Sequence, residues 1–284
     1  MSDLICYVNG EFIPLNEGKL SVQDLAILRG YGVFDFLRTY NGKPFRLPAH
    51  LHRLQCSAQA IGLALPHPLD RLETIVLDTL GRNSLPEANI RIVVTGGPAP
   101  DAITPAAQPG LIVIVAPVHR YPAAYYDQGI KVITVETDRY LPRAKTINYI
   151  PAIIALNQAR AAGAVEALYT NAEGHILEGT TTNFFVIHGS QLITPKDDIL
   201  PGVTRDIILA LAEDNDFEII ERPLTRADVE LANEAFITAS NKEIMPVRQV
   251  DDIIIGQSTS GPIPGPNTQH LMNKYKALLA AELG

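Results

Sequence analysis

Lys145 is the first residue whose surroundings suggest chemistry. It lies in the stretch YLPRAKTINYIPA, beside a tyrosine, an asparagine and apolar residues, and is one of eight lysines in the chain. An amine becomes a useful nucleophile when burial or nearby cations lower its pKa. Arg139 and Arg143 are close in sequence, and Ile147 and Ile150 suggest partial burial. Schiff-base chemistry at Lys145 is one interpretation, and a surface lysine at the end of a strand is the other.

Glu178 is the second candidate, in the stretch ILEGTTTNFFVI. Its setting is apolar and strand-like, and a buried carboxylate must be paired or hydrogen-bonded. One interpretation is that it holds a proton-bearing nitrogen of a ligand. The alternative is a glutamate in a turn at the end of a strand.

Two stretches and one arginine could receive an anion. In ILPGVTRDII, Thr204 is predicted to be the N-cap of a helix, and helix N-termini bind phosphate through free N–H groups. In TASNK, Ser240 and the N–H groups of Asn241 and Lys242 follow a strand. Arg53, in HLHRL, can make a bidentate contact to phosphate or extend to solvent. Plain capping and an ordinary turn are the alternatives for the two stretches.

Composition excludes several classes of function. The net charge is −8 and the pI is near 5.4, which argues against a general nucleic-acid surface. The two cysteines form no C-x-x-C pair, and His50 and His52 lack a carboxylate-rich metal pattern, so no disulfide framework and no metal site are predicted. No apolar stretch approaches the roughly 20 residues that span a bilayer, and no signal peptide is evident. We therefore expect a soluble cytoplasmic protein without a membrane partner.

The elements that must position these residues mix hairpins and helices. Asn9-Gly10 and Asn41-Gly42 predict two tight hairpins, and helices are predicted after Pro48, in HPLDRLETIVLDTLG, IPAIIALNQARAAG and VTRDIILALAEDND, and at the C-terminus. We predict two α+β or α/β lobes: a small N-terminal domain over residues 1–120, a linker over 121–129 and a larger C-terminal domain over 130–284. A cleft between two lobes is the default place for a ligand.

Six motifs together, in this order, resemble the class IV aminotransferases, the pyridoxal-phosphate enzymes of fold type IV. They are RGYGVFD, HLHRL, KTINY, LEGTTTNFF, LPGVTR and FITASNKEIMPV, and the resemblance covers nearly the whole chain. The family includes branched-chain aminotransferases, D-amino-acid transaminases and aminodeoxychorismate lyases. Its members are homodimers that bind pyridoxal 5'-phosphate in the cleft between the domains, so the resemblance implies this fold, cofactor and assembly here.

The resemblance also implies roles for individual residues. Lys145 would form the Schiff base with the cofactor, and Glu178 would accept a hydrogen bond from its pyridine nitrogen. Tyr149 would lie near the phenolic oxygen. The phosphate would be held by Arg53, Val203, Thr204 and Ser240. The substrate would meet Arg29, Phe34, Thr181, Asn241 and Lys242, with the amides of the last two on its carboxylate side. The reaction would move an amino group between an amino acid and a 2-oxo acid such as 2-oxoglutarate, with ping-pong kinetics.

The chain departs from the family pattern at the substrate-binding positions. Several members carry an arginine in or just after the strand that here reads IRIVVTGG, where this chain has Gly96 and Gly97. Arg91 lies earlier on that strand, and its direction is open. Arg29 resembles an arginine that, in a less usual group of D-amino-acid transaminases, reaches the neighbouring subunit's active site. That group has a second arginine where threonines 180–182 stand here.

The substrate therefore stays open at this point. D-amino acids are slightly favoured because of Arg29 and the TGGPAPDAITP loop, and L-branched-chain amino acids come next, since Phe34 replaces a common tyrosine and suits an apolar pocket. Aminodeoxychorismate lyase is an alternative activity, which the glycine-rich loop disfavours. A non-catalytic cofactor-binding protein is a third possibility, which the intact pair of Lys145 and Glu178 disfavours.

Overall fold

The computed structural model describes residues 4–256 and 262–284. The chain divides into two compact units. Unit 1 consists of Met1–His119, Ala144–Tyr149 and Leu283, and unit 2 of Arg120–Arg143, Ile150–Glu282 and Gly284. The predicted linker, residues 121–129, falls inside unit 2. Residues 144–149, which the predicted boundary places in the C-terminal domain, group with unit 1.

Unit 1 is a six-stranded antiparallel sheet with helices. Its elements are β1 (Ile5–Val8), β2 (Glu11–Pro14), α1 (Leu25–Arg29), β3 (Gly32–Tyr40), β4 (Lys43–Pro44), α2 (Leu47–Ala60), α3 (Leu69–Gly81), β5 (Ala88–Thr95) and β6 (Gly110–Pro117). The strand order is β2-β1-β6-β5-β3-β4. Residues of the sheet and of α2 and α3 share one hydrophobic core, which includes Val33, Leu37, Leu54 and Ile75.

Both predicted hairpins are confirmed. Val8 pairs with Glu11 across one turn, and Tyr40 pairs with Lys43 across the other. Each turn has two residues with positive φ: Asn9 (48°) with Gly10 (110°), and Asn41 (50°) with Gly42 (74°). Asparagine and glycine tolerate this conformation, which matches the twist of the flanking strands.

The segment that carries Lys145 pairs with the first residues of β3. Thr146 forms a bridge with Val33, the Phe34 N–H donates to the Lys145 carbonyl (2.9 Å), and the Ile147 N–H donates to the Gly32 carbonyl (3.1 Å). These backbone bonds explain why residues 144–149 belong to unit 1 rather than to their neighbours in sequence. Lys145 is half-buried, as the neighbouring isoleucines predicted; Ile147 is half-buried beside it, whereas Ile150 is 66% exposed.

Unit 2 is built on a nine-stranded mixed sheet. Its elements are α4 (Ala123–Asp127), β7 (Ile130–Glu136), α5 (Ile150–Ala161), β8 (Glu166–Thr170), β9 (Ile176–Gly179), β10 (Asn183–His188), β11 (Gln191–Thr194), α6 (Val203–Glu213), β12 (Glu218–Glu221), α7 (Arg226–Leu231), β13 (Glu234–Ala239), β14 (Glu243–Val250), β15 (Ile253–Ile254) and α8 (Pro266–Leu283). The strand order is β12-β11-β10-β13-β14-β7-β8-β9, and β15 pairs with β14. A further pairing of β9 with β10 closes part of the sheet into a ring.

The mixture of helices and strands in both units confirms the α+β class. Parallel pairs occur between β7 and β8, β7 and β14, and β11 and β12, and the remaining pairs of unit 2 are antiparallel. Two helix starts were predicted too late. Helix α2 begins at Leu47 rather than after Pro48, and α6 begins at Val203, with Gly202 as its N-cap, so Thr204 lies inside the first turn. Gly202 takes the N-cap position because it is already extended there (φ −79°, ψ 127°).

Candidate active site

A buried charged cluster lies on the core side of unit 1. Asp35 is on β3 between the core residues Val33 and Leu37, and its exposure is 0%. Its carboxylate accepts two hydrogen bonds from the Arg53 guanidinium, both of 2.8 Å, and contacts His50 Nδ1 at 2.7 Å. A carboxylate in an apolar core must be paired. Asp35 therefore fixes the direction of the Arg53 side chain, a role that no local pattern in the sequence indicates.

Burial and charge shift the pKa values of this cluster. Burial opposes ionisation of Asp35, but the charges and hydrogen bonds of Arg53 and His50 outweigh it and hold its pKa well below the usual range. Burial lowers the pKa of His50 despite the attraction of Asp35, and the charges of Arg53 and Lys145 lower it further. The ion pair of Asp35 and Arg53 therefore persists at acidic pH, and His50 is neutral at neutral pH.

The free energy of unfolding should fall as the pH is lowered. Both folded-state pKa values are depressed, so the unfolded chain binds more protons and stability rises with pH. The contribution of His50 is present above its ordinary pKa of 6.5 and is lost below it, and that of Asp35 follows below 3.8. Urea unfolding at stepped pH measures this slope. His50→Asn should remove the part of the slope that begins near pH 6.5, and an unchanged slope in that variant would contradict the assignment.

Lys145 lies in an aromatic corner of unit 1. Its ammonium is 4.6 Å from the centre of the Phe34 ring, and the Tyr149 ring packs edge-on against Phe34 with centres 5.3 Å apart. The Lys145 N–H donates to Ser57 Oγ (3.1 Å), which in turn donates to the Arg53 carbonyl (2.8 Å). Ser57 thus ties the Lys145 backbone to the helix that carries Arg53, a contact that was not predicted from the sequence.

Arg91 points at the same aromatic ring. It is on β5, directly opposite Phe36 on β3, and its guanidinium lies 5.0 Å from the Phe34 ring centre. The Lys145 ammonium and the Arg91 guanidinium are both within 5.0 Å of that centre, so they are at most about 10 Å apart. The Arg91 side chain, whose direction the sequence left open, therefore points towards Phe34.

Glu178 is buried near the end of β9 in unit 2. Its Oε1 is paired with the Arg139 guanidinium, and its Oε2 accepts from the Leu200 N–H (3.0 Å) and, at 3.4 Å, from Asn183 Nδ2. The predicted need for partners is confirmed, and Arg139 supplies the charge. Sequence spacing did not reveal this pair, because 39 residues separate its members.

Two turns of unit 2 meet through Thr181 and Lys242. The Lys242 ammonium donates to Thr181 Oγ1 (2.7 Å), and the Lys242 N–H donates to the Ala239 carbonyl (3.1 Å), which closes the turn after β13. The predicted turn is confirmed, but the Lys242 N–H is used within it rather than offered to an anion. Asn241 Nδ2 donates to the Tyr121 hydroxyl (3.2 Å).

The start of α6 suits an anion. Its N-cap is Gly202, which has no side chain to accept from the N–H groups of the first turn. That turn contains Val203 and the buried Thr204. The N–H groups of a helix start and the positive end of its dipole favour an anionic group there. Ser240 follows β13 and is half-buried.

Arg29 ends α1 on an exposed apolar surface of unit 1. Its guanidinium donates to the Leu28 carbonyl (2.9 Å), and the nearby Val22, Ile27 and Leu28 are 78%, 56% and 37% exposed. Solvent contact by several large apolar side chains is typical of a surface that another molecule covers.

Neither a metal site nor a membrane-spanning helix is found in the described part of the chain. Across residues 4–256 and 262–284, three or more histidine, cysteine or acidic side chains nowhere cluster as metal ligands would. In the same ranges, every helix is too short or too polar to cross a membrane.

The geometry divides the predicted residues into two sets. Unit 1 brings together Lys145, Phe34, Tyr149 and Arg53, with Asp35, His50, Ser57 and Arg91 as additions. Unit 2 brings together Thr181 with Lys242, and surrounds Glu178 with Arg139, Asn183 and Leu200. Arg29 is exposed at the end of α1 and donates to the Leu28 carbonyl. An amine, a buried carboxylate, an oriented arginine and a helix start without a side-chain cap are thus all present.

Known proteins resemble this chain over most of its length. Residues 32–250 match the family described as "Amino-transferase class IV". The chain is 36% identical over 279 residues to a putative branched-chain-amino-acid aminotransferase of Methanocaldococcus jannaschii, covering 95% of this chain and 94% of the relative. It is 32% identical over 277 residues to a D-alanine aminotransferase of Staphylococcus haemolyticus, covering 95% and 96%.

A solved structure supports the same family assignment. The branched-chain amino acid aminotransferase of Escherichia coli superposes with a TM-score of 0.89 at 29% identity, covering 97% of this chain and 94% of the other. The family match spans most of the chain, and the six motifs fall in the same order as the elements that carry them. The chain belongs to the class IV aminotransferases.

Proposed function

We propose that this protein transfers an amino group between an amino acid and a 2-oxo acid, with Lys145 as the catalytic residue. Family membership indicates pyridoxal 5'-phosphate as the cofactor. The residues present fit that group: an amine for its aldehyde, a buried carboxylate for its ring nitrogen, and an arginine and a helix start without a side-chain cap for its phosphate. The observation that carries the proposal is the Lys145 ammonium over the Phe34 ring, against which the Tyr149 ring packs edge-on.

Glu178 would accept a hydrogen bond from the ring nitrogen and keep it protonated, while Tyr149 would lie near the phenolic oxygen. Arg53, oriented by Asp35, would bind the phosphate together with Val203, Thr204 and Ser240. Arg–phosphate pairing and helix N–H groups are the common means of holding such a group.

When bound, the cofactor supplies an aldehyde for condensation and a ring that takes up the electron pair from the substrate Cα. Lys145 would hold the cofactor through its aldehyde group. The Lys145 amine would also move a proton between the substrate Cα and the C4′ atom, as a positioned general base and acid. Because the first product leaves before the second substrate binds, the kinetics are ping-pong.

The test is a half-reaction screen with paired amino acids. L-leucine, L-valine, D-alanine and D-glutamate are each mixed with the holoenzyme, and the visible absorption band of the cofactor is followed. Bleaching of the band by at least one amino acid, reversed by 2-oxoglutarate, is expected. A band that no amino acid bleaches would refute the transaminase. Release of pyruvate from aminodeoxychorismate without an amino acceptor would instead show the lyase.

Branched-chain L-amino acids are the leading substrate class. The relatives' names include both branched-chain and D-alanine aminotransferases, and the solved structure compared above is that of a branched-chain enzyme. The Phe34 ring beside Lys145, with Tyr149 packed against it, gives an apolar surface that suits an aliphatic side chain. D-amino acids are the second candidate, because Arg29 is present and exposed.

Arg91 should favour acidic substrates over apolar ones. A guanidinium near Lys145 can pair with the distal carboxylate of 2-oxoglutarate, and such charged hydrogen bonds contribute roughly 1.5–3 kcal/mol. Arg91→Met should therefore raise the KM for 2-oxoglutarate by about tenfold or more, and leave that for 4-methyl-2-oxopentanoate nearly unchanged. Steady-state kinetics with both acids measure the difference. Equal changes in the KM for the two acids would show that Arg91 does not bind the distal carboxylate.

A homodimer that shares Arg29 between subunits is part of the proposal. The exposed Ile27 and Leu28 beside Arg29 give α1 an apolar surface for a second copy. Lys145→Ala and Arg29→Met subunits, each weak alone, are unfolded, mixed and refolded. If Arg29 serves the partner's site, hybrid dimers have one intact site, and random pairing restores about a quarter of wild-type activity. No recovery in confirmed hybrid dimers would mean that Arg29 acts within its own subunit or not at all.

A further inference from the structure

Glu166 is a fully buried carboxylate that the proposed reaction does not use. It begins β8 and is 1% exposed. Its Oε1 accepts from the Ala167 N–H (3.0 Å), the Thr180 N–H (3.3 Å) and the Thr180 hydroxyl (2.5 Å). Its Oε2 accepts from the Thr181 hydroxyl (3.0 Å). Most of these bonds thus go to one turn, the one that joins β9 to β10.

Lys242 provides the opposite charge. Its Nζ lies 3.6 Å from Glu166 Oε2 and 2.7 Å from Thr181 Oγ1, and its side chain is 8% exposed. The Thr181 hydroxyl therefore bridges the two charges, accepting from Lys242 and donating to Glu166. A buried pair of this kind adds little net stability, but removal of one partner is costly because it leaves a buried charge without its counterpart.

The turn held by this pair carries Glu178. Glu178 at the end of β9 pairs with Asn183 at the start of β10, and the Gly179 N–H donates to the Thr182 carbonyl (2.7 Å). A Cβ at Gly179 would collide with Thr182 Oγ1 and would lie 3.2 Å from Glu166 Cγ. Glu166 therefore packs directly against the turn residue that follows Glu178, and the turn has no room to shift.

We propose that Glu166 and Lys242 are positioning residues: through Thr180 and Thr181 they lock the β9–β10 turn and so fix the carboxylate of Glu178. The inference rests on the proposed role of Glu178 at the cofactor ring nitrogen. A carboxylate that contacts a ring nitrogen must be held to within a fraction of an ångström, and residues behind it supply that precision.

The test compares Glu166→Gln, Lys242→Met and the double variant. Two quantities are measured: the Kd of the apoenzyme for pyridoxal 5'-phosphate, and the pH midpoint of the visible band of the bound cofactor. Each single variant should weaken binding by about tenfold, as loss of an outer hydrogen-bond partner does at metal sites, and should shift the midpoint. The double variant should lose less than the two single losses combined, because it contains no lone buried charge.

Glu234→Gln is the matched control. Glu234 is also a buried carboxylate of unit 2, but it accepts from the N–H groups of Asn267 (3.0 Å) and Thr268 (2.7 Å) at the start of α8. This variant should lower the melting temperature and leave the Kd and the midpoint unchanged. If the Glu166 and Lys242 variants behave like this control, or raise only the KM of the substrate, the positioning role is overturned.

Two variants at Thr180 test the inference even if removal of the Glu166 or Lys242 charge prevents folding. Thr180→Val keeps the shape of the side chain and removes the hydroxyl that bonds Glu166, whereas Thr180→Ser keeps the hydroxyl. The valine variant should weaken cofactor binding and shift the midpoint, and the serine variant should restore both. Equal values for valine and serine would overturn the inference.

Failure of the proposed function would look different. If the wild-type protein develops no visible band with the cofactor, or if Glu178→Ala leaves the band and its midpoint unchanged, the role of Glu178 itself fails. If wild type and Glu178→Ala behave as proposed while the Glu166 variants match Glu234→Gln, only the positioning inference fails.

Discussion

Replacing Lys145 by alanine should lower kcat by about 10⁴-fold, the upper range for loss of a positioned acid–base group. In the proposed function the variant would lose the amine that holds the cofactor aldehyde and that moves the proton between Cα and C4′. Folding should be little affected, because the backbone bonds of residue 145 to Phe34 and Ser57 do not involve the side chain. Single-turnover kinetics with a reactive amino acid measure the loss.

Two further variants test whether the loss is specific to the Lys145 amine. Lys145→Arg keeps the positive charge near Phe34, but its guanidinium does not lose its proton near neutral pH, so it should be as inactive as alanine. Lys196→Ala removes an exposed lysine and should match the wild type. Substantial turnover by Lys145→Arg would mean that charge, rather than a reactive amine, is what residue 145 supplies.

Asp35→Asn should destabilise unit 1 by roughly 3–5 kcal/mol, the cost of breaking a buried ion pair by removing one partner. The substitution leaves the Arg53 and His50 side chains in the core without the carboxylate that both contact. Because Asp35 also orients Arg53, the affinity of the apoenzyme for the cofactor should fall as well. Urea unfolding and fluorescence titration with pyridoxal 5'-phosphate measure the two effects.

The control is a less buried ion pair of the same unit. Arg38 and Glu87 are 2.8 Å apart, with side chains 12% and 33% exposed. Glu87→Gln should cost less than about 1 kcal/mol, as partly exposed pairs usually do, and should not change cofactor affinity. A loss in Asp35→Asn no greater than in Glu87→Gln would contradict the view that Asp35 holds Arg53 in place.

Local signals in the sequence predicted the local structure well. Asn9-Gly10 and Asn41-Gly42 specify their turns because few other residues adopt positive φ there. The six motifs also led to the family, because all of them occur along the chain in the family's order. The position of Thr204 was misjudged because a threonine is the usual N-cap, whereas here the glycine two residues earlier has the extended conformation.

Long-range pairings could not be read from the sequence. Asp35 looked like one polar residue in a strand, and only its distance to Arg53, 18 residues later, shows that it orients an arginine. The pairing of Lys145 with β3 joins residues more than a hundred positions apart, so no periodicity marks it. Glu166 likewise has no local motif, because its partners come from two distant turns.

The most direct measurement is to trap the cofactor on the protein. The holoenzyme is reduced with sodium borohydride, digested and mapped by mass spectrometry. We expect the phosphopyridoxyl mass on the peptide that contains Lys145, and loss of that label if an excess of amino acid is added before reduction. A label on another side chain, or no label on a protein that nonetheless transaminates, would contradict the assignment of Lys145.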